Sequence, residues 1–157
     1  MKLLFVVQRY GEEVAGGAEA ACRELAWRLA ARGHEVHALT SCALSYVDWA
    51  NHFPQGDSEI NGVIVHRLEV ARLREDRFFG PLNSRAVWDP KPTPLFLQAE
   101  WMRMQGPDVP GLAPWLEQHA AEFDVVTFVT YLYQTTWVGL PVAAGLAPTI
   151  LLAKPSA

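Results

Sequence analysis

The sequence predicts a doubly wound, Rossmann-like α/β domain: a mostly parallel sheet with helices on both faces. Three observations carry this expectation. A continuous apolar run at residues 3–8 starts almost at the N-terminus and reads as a strand buried on both faces. A glycine-containing loop and one amphipathic helix separate it from a second apolar run at 35–40, which is the length a right-handed parallel crossover needs. Further apolar runs follow at 63–68, 124–129 and 149–153, with helical or irregular stretches between them.

Each element follows from local chemistry. After the first strand comes the loop Arg9-Tyr10-Gly11-Glu12-Glu13-Val14-Ala15-Gly16-Gly17. Ala18, Ala21, Cys22, Leu25 and Leu29 then lie on one helical stripe. Glu24 precedes Arg28 by one turn, and Gly33 closes the helix as a left-handed cap. Residues 35–40 form the second strand. Residues 41–57 are a polar and aromatic excursion with Tyr46, Trp49 and Phe53. Asn61-Gly62 is a turn signature, so Glu59-Ile60 and Val63-Ile64 suit a hairpin leading into the third strand, 63–68.

Residues 70–95 read as irregular, because Phe79-Gly80-Pro81 and the prolines at 90, 92 and 94 forbid long helices. Phe78, Phe79 and Trp88 are expected to pack on the domain, with a mobile tip near Asn83-Ser84-Arg85. Helices are expected at 95–104 and 110–121, a fourth strand at 124–129, a short helix at 137–144 and a fifth strand at 149–153. The strand order that satisfies the crossover rule is 3-2-1-4-5, with the first strand central. An apolar run such as Ile150-Leu151-Leu152-Ala153 suits an inner strand, and ending there leaves an apolar edge. The 157 residues are therefore read as a single α/β domain, the N-terminal part of a larger two-domain protein.

Composition narrows the function. Hydrophobic residues make up 50% and charged residues 19%, enough for a packed core. Thirteen Lys and Arg stand against seventeen Asp and Glu, so no basic excess calls for nucleic acid. Arg67, Arg72, Arg74 and Arg77 alternate with Glu69, Glu75 and Asp76 and read as a solvated mixed-charge stretch. No apolar run nears the length of a membrane span, and the start lacks a signal-peptide core. A cytoplasmic place is expected, with peripheral membrane attachment left open. Cys22 and Cys42 read as buried thiols. No pair of histidines has metal spacing. His37 and His66 lie within strands and read as sheet residues; His52, in a loop, is the one worth testing.

The main chemical feature is Gly16-Gly17 at a helix N-terminus. Glycine lets the backbone approach a ligand, and the helix's N–H groups and dipole favour an anion such as phosphate. A tight turn into the helix would account for the same glycines. A dinucleotide fold would place Gly-x-Gly-x-x-Gly where Gln8-Arg9-Tyr10-Gly11-Glu12-Glu13 stands, and an acid where Thr40-Ser41 ends the second strand. No P-loop pattern is present.

The opening Met1-Lys2-Leu3-Leu4-Phe5-Val6-Val7, then Ala15-Gly16-Gly17-Ala18-Glu19, then Leu29-Ala30-Ala31-Arg32-Gly33-His34-Glu35-Val36, resembles the start of family 4 glycosyltransferases of the GT-B fold. The Asn61-Gly62-Val63 strand entry and Asp124-Val125-Val126 fit the same pattern. The resemblance implies half of a GT-B fold. It implies a retaining transferase, of hexosyltransferase type, moving a sugar from a nucleotide diphosphate sugar to an acceptor without metal or other cofactor. This chain would be the acceptor-side domain, inactive without its own C-terminal domain. Gly16, Gly17 and Ala18 would face the donor diphosphate. Arg9, Tyr10, Trp49, His52, Tyr131 and Tyr133, all expected at the sheet's C-terminal edge, are the acceptor-contact candidates. The family's usual histidine near the end of the fourth strand is absent, since Thr127 and Val129 fill those places. Two other readings stand beside this one: a GT-B-like epimerase, and a non-catalytic α/β binding module. For the module, the edge at 149–153 would be a docking or self-association surface.

Overall fold

The computed structural model describes residues 1–89 and 91–153. It is a Rossmann-like doubly wound α/β fold, with six strands in the order β3-β4-β2-β1-β5-β6. These are β1 Lys2–Val6, β2 Glu35–Ser41, β3 Gly56–Ile60, β4 Val63–Leu68, β5 Val125–Val129 and β6 Thr149–Leu152. All neighbours run parallel except β3, which pairs antiparallel with β4. The expected order holds, with β3 added at one edge. The Asn61-Gly62 turn makes the hairpin because both residues take positive φ, 49° and 77°, as a two-residue type I′ turn requires.

β1 is central because its side chains alternate between two apolar layers. Leu4 and Val6 join Leu39, Leu112, Leu116, Phe128 and Ala143 on one face. Phe5 and Val7 join Cys22, Ala26, Val36, Ala38, Val63 and Val65 on the other. Helix α1 (Gly17–Ala31) covers the second face. Its buried stripe is Glu19, Cys22 and Ala26, whereas Leu25 is exposed. Of the expected stripe, Ala18, Cys22 and Leu29 do pack on the sheet, whereas Ala21 and Leu25 are exposed, and Glu19 and Ala26 are buried in their stead. At its end, Gly33 takes φ 87°, its N–H reaches Ala30 O, and His34 N–H reaches Leu29 O, the paired bonds of a Schellman cap.

The region expected to be irregular is helical instead. Helix α2 (Asp76–Asn83) carries Pro81 within it and runs straight into a π-helical turn, Ser84–Trp88. Helix α3 (Leu95–Gln105) follows, and the Trp101 indole N–H donates to Asn83 Oδ1 at 2.9 Å. Asn83-Ser84-Arg85, expected as the tip of an irregular segment, is therefore helical. Phe79 is half-buried, but Phe78 and Trp88 are 53% and 78% exposed, so these two do not serve as packing anchors. Pro92 and Pro94 precede α3, where no helical donor is needed, and Pro81 costs α2 one intrahelical bond, that to Arg77 O.

Helices α4 (Leu112–His119) and α5 (Gln134–Ala144) cover the other face of the sheet. They meet at Gly139, where an added Cβ would stand 2.8 Å from Phe128 Cε1, 3.0 Å from Leu116 Cδ1 and 3.3 Å from Leu112 Cδ2. Gly139→Ala is expected to lower stability by about 1–2 kcal/mol. An overpacking cost of ~1–3 kcal/mol outweighs the helix-propensity gain of up to ~1 kcal/mol. The shift in urea midpoint at constant m-value measures it. Cys22 and Cys42 are both buried and free, and burial pushes the Cys22 thiol up to about 12.

Candidate functional site

The C-terminal edge of the sheet, where strand connections from β1 and β5 diverge, is the switch point at which open α/β folds bind ligands. Here the chain leaves β1 through Gln8, Arg9 and Tyr10 and returns to α1 through Gly16. Three guanidinium groups hold this loop by its carbonyl oxygens. Arg9 donates to Ala15 O and, across the loop after β2, to Leu44 O, each at 3.0 Å. Arg23 donates to Gly11 O at 2.7 Å, and Arg67 donates to Tyr10 O at 2.7 Å. Arg67 is buried against the Phe53 ring at 4.1 Å, and burial lowers its pKa. It does not belong to a solvated charge stretch.

The carbonyl groups of Tyr10, Gly11 and Ala15 are thus held by arginines, and Val14 N–H donates within the loop to Gly11 O at 3.3 Å. Gly17, Ala18 and Glu19 are the first residues of α1, and their N–H groups have no partner among the described residues; the first helical bond is Ala20 N–H to Gly16 O. Gly16 and Gly17 are exposed.

Within the loop lies an ion pair that sequence reasoning missed. The Glu19 carboxylate accepts from Arg9 Nε at 3.0 Å, from Arg9 Nη2, and from Gln8 Nε2 at 2.8 Å. Both charged side chains are only 5% exposed. Gly16 has φ 146°, and an added Cβ would collide with the Glu19 carboxylate and lie 3.1 Å from Arg9 Nη2. Internal packing of the pair is therefore a sufficient reason for glycine at 16. The signal was available: an acid two residues into a helix and an arginine just after the preceding strand are placed to meet.

Of the acceptor-contact candidates expected at the surface of this edge, three are buried. Arg9 is engaged as above, with the Tyr46 ring 5.1 Å from its guanidinium. Tyr10 is 1% exposed, and burial raises its hydroxyl pKa. Trp49 is also 1% exposed; it takes φ 62° and donates its indole N–H to Gln105 O at 2.8 Å. The two aromatics are buried in different layers, Trp49 with Leu39, Ala43 and Val70 against the end of α3, and Tyr10 with Cys22 and Ala26 beneath α1. Tyr133 is half-buried, edge-on to Trp49 at 5.4 Å; burial raises its pKa and the Glu19 charge adds to the rise. Tyr131 and His52 are exposed, and His52 lies against Phe53. Thr127 and Val129 are buried at the end of β5.

Thr130 takes φ 66°, an outlier for a β-branched residue. Its carbonyl accepts from Thr136 Oγ1 at 2.6 Å, which fixes the turn into α5 beside the glycine loop. Gln8 Oε1, Thr40 Oγ1, Gln134 Oε1 and Thr135 Oγ1, all near this end of the sheet, are buried without a hydrogen-bond partner among the described residues.

A cavity of about 590 Å³ lies elsewhere, between the π-helical turn, α3 and Trp137, and none of its lining residues belongs to the glycine loop. Among the described residues, no group of three or more His, Cys, Asp or Glu could hold a metal ion, and no helix is long and apolar enough to cross a membrane. Neither a protein-family model nor a curated protein matches the chain.

Proposed function

We propose that this chain is the acceptor-side domain of a retaining glycosyltransferase that uses a nucleotide diphosphate sugar. The observation that carries this reading is the set of unpartnered N–H groups of Gly17, Ala18 and Glu19. They stand at the start of a fifteen-residue helix beside the switch point. N–H donors there stabilise charge gathering on a leaving diphosphate. Glu19 would repel that charge if it stood alone, but Arg9 lies within hydrogen-bond distance and neutralises it. In this reading Tyr131 and His52, the exposed candidates, are the acceptor contacts, while Arg9, Tyr10 and Trp49 support them from beneath. A second domain supplies the base and ribose contacts.

The second reading, a binding module, draws on β6. It pairs only with β5 among the described strands, and Ile150, Leu151 and Leu152 are 40–48% exposed on it.

Calorimetry of the 157-residue chain with UDP- and GDP-sugars, beside the product of the complete gene, tests the proposal. A few charge-assisted bonds of about 1.5–3 kcal/mol each face an association cost of ~4–15 kcal/mol. The chain alone is therefore expected to bind no tighter than about millimolar and to transfer no sugar, while the complete gene product does both. Micromolar binding by the chain alone would show that the donor pocket is complete within it. A complete gene product without transfer or donor binding would favour the module.

A further inference from the structure

At the opposite, N-terminal end of the sheet, four side chains from three strands form one continuous hydrogen-bonded line. Glu35 Oε1 lies 2.9 Å from His37 Nε2, His37 Nδ1 lies 2.8 Å from His66 Nε2, and His66 Nδ1 lies 2.7 Å from Asp57 Oδ1. Sheet geometry builds it. Glu35 and His37 share one face of β2 as residues i and i+2. His66 is the diagonal neighbour of His37 on β4, and Asp57 is paired directly with His66 from β3. The two imidazole planes are 14° apart.

We propose that His37 and His66 share a single proton between their rings, and that this pair is a pH-responsive clasp fastening the β3–β4 hairpin to β2. The count of protons requires it. Carboxylates only accept, so Glu35 and Asp57 each need an N–H, from His37 Nε2 and His66 Nδ1. The two remaining nitrogens face each other at 2.8 Å and bond only with one more proton between them. Three protons on two imidazoles make one cation held between two anions. A fourth proton sets N–H against N–H and opens the centre. Loss of the third sets lone pair against lone pair, or leaves a carboxylate without its donor.

The surrounding charges are consistent with one cation there. Lys2 of β1 reaches Glu35 at 3.5 Å and Glu122 at 3.2 Å, and Glu122 is also bound by His119 of α4 at 2.9 Å. Phe123 packs edge-on to His37, and Trp115 lies between His66 and His119. Asp124 accepts from the Lys2 backbone N–H. Glu59 follows Asp57 on the same face of β3.

The sign follows on both sides. In the unfolded chain each histidine takes its second proton near pH 6.5, independently. Below that, the unfolded chain binds more protons than the clasp tolerates, so stability is lost as pH falls. Burial of His37, which lowers its pKa against the raising effect of Glu35, acts in this direction. Above it, the fold retains the shared proton that the unfolded chain has released, so stability is also lost as pH rises past the point where that proton leaves. The clasp is strongest between, and its two steps belong to the pair.

Long-range ¹H–¹⁵N spectra of the imidazoles of the whole chain, recorded over roughly pH 4–9 with amide exchange of β3 corrected for its intrinsic rate, test this. The expected result is two separated, linked steps for both rings, with β3 protection greatest between them and about tenfold lower on either side. Asp57→Asn alters an exposed side chain; it is expected to make the shared proton leave at lower pH and to flatten the β3 maximum. Independent single-step titration of the two rings, or β3 protection that does not vary with pH, overturns the proposal.

Discussion

Glu19→Ala is expected to destabilise the fold by about 3–5 kcal/mol, because it leaves the Arg9 guanidinium buried without its anion. Arg9 would keep its bonds to Ala15 O and Leu44 O, but two neutral carbonyls do not replace a carboxylate. The loss is large against the 5–15 kcal/mol that holds a typical domain. Glu19→Gln should cost less, since an amide oxygen still accepts from Arg9 and from Gln8. The double variant Arg9→Met, Glu19→Leu should recover most of the loss, because replacing both charges by apolar groups of similar size removes the desolvation penalty with the pair. Urea unfolding compares the three variants with the wild type, and adding the single variants Arg9→Met and Glu19→Leu completes a cycle. A single Glu19→Ala that unfolds at the wild-type midpoint would mean that water reaches Arg9.

Phe128→Ala has a comparable expected effect by a different route. The ring is fully buried on β5 and faces Leu112 and Leu116 of α4 and Gly139 of α5. Truncation removes its apolar area from the core and leaves a cavity that two helices and a sheet cannot readily close. The expected cost is about 3–5 kcal/mol, equivalent to a fall in Tm of roughly 10 °C for a domain of this size. Phe128→Leu should recover about half, since a Leu side chain fills part of the same space. Calorimetric melting compares the three. If Phe128→Ala and Gly139→Ala are combined, the alanine methyl enters the space the ring vacates, and the pair should cost less than the sum.

Much of the fold was legible because its signals are local or periodic. Continuous apolar runs marked the parallel strands, Asn61-Gly62 marked the hairpin, and Gly33 marked the helix end. Their order then left one economical topology. The stretch around α2 was misread because proline and glycine were weighed as helix breakers, although they forbid only long helices. The face of α1 was legible through Ala18, Cys22 and Leu29, but Ala21 and Leu25 were counted on it for their hydrophobicity although they lie at its exposed side.

The site was legible in place and less so in substance. Gly16 and Gly17 do open a helix at the sheet's C-terminal edge. The reason for Gly16 lies in a side chain three residues ahead and an arginine seven residues behind; their meeting could be read from the spacing, but its closeness to residue 16 only from the folded loop. Tyr10 and Trp49 were assigned to the surface because loops usually run there. Their burial depends on which segments later lie over them, and that is tertiary information. The His37–His66 line follows from i, i+2 spacing and strand register, and register becomes known only once the strands have been paired.

The strand order also governs how the chain can be assembled. Residues 1–68 supply four adjacent strands and α1, a contiguous piece of sheet with one face already covered. Leu4, Val6 and Leu39 on the opposite face share their layer with Ala43 and Trp49 but gain most of its cover from residues 109–143, and β1 gains its second neighbour only from β5. A polypeptide emerging from a ribosome therefore passes through a stage in which part of a sheet exists with one oily side and with β1 open along one edge, a combination that invites association with other chains. Synthesis of the segment from 69 to 111 sets how long that stage lasts, so slower translation there should lower the yield of soluble protein even though it alters no native contact.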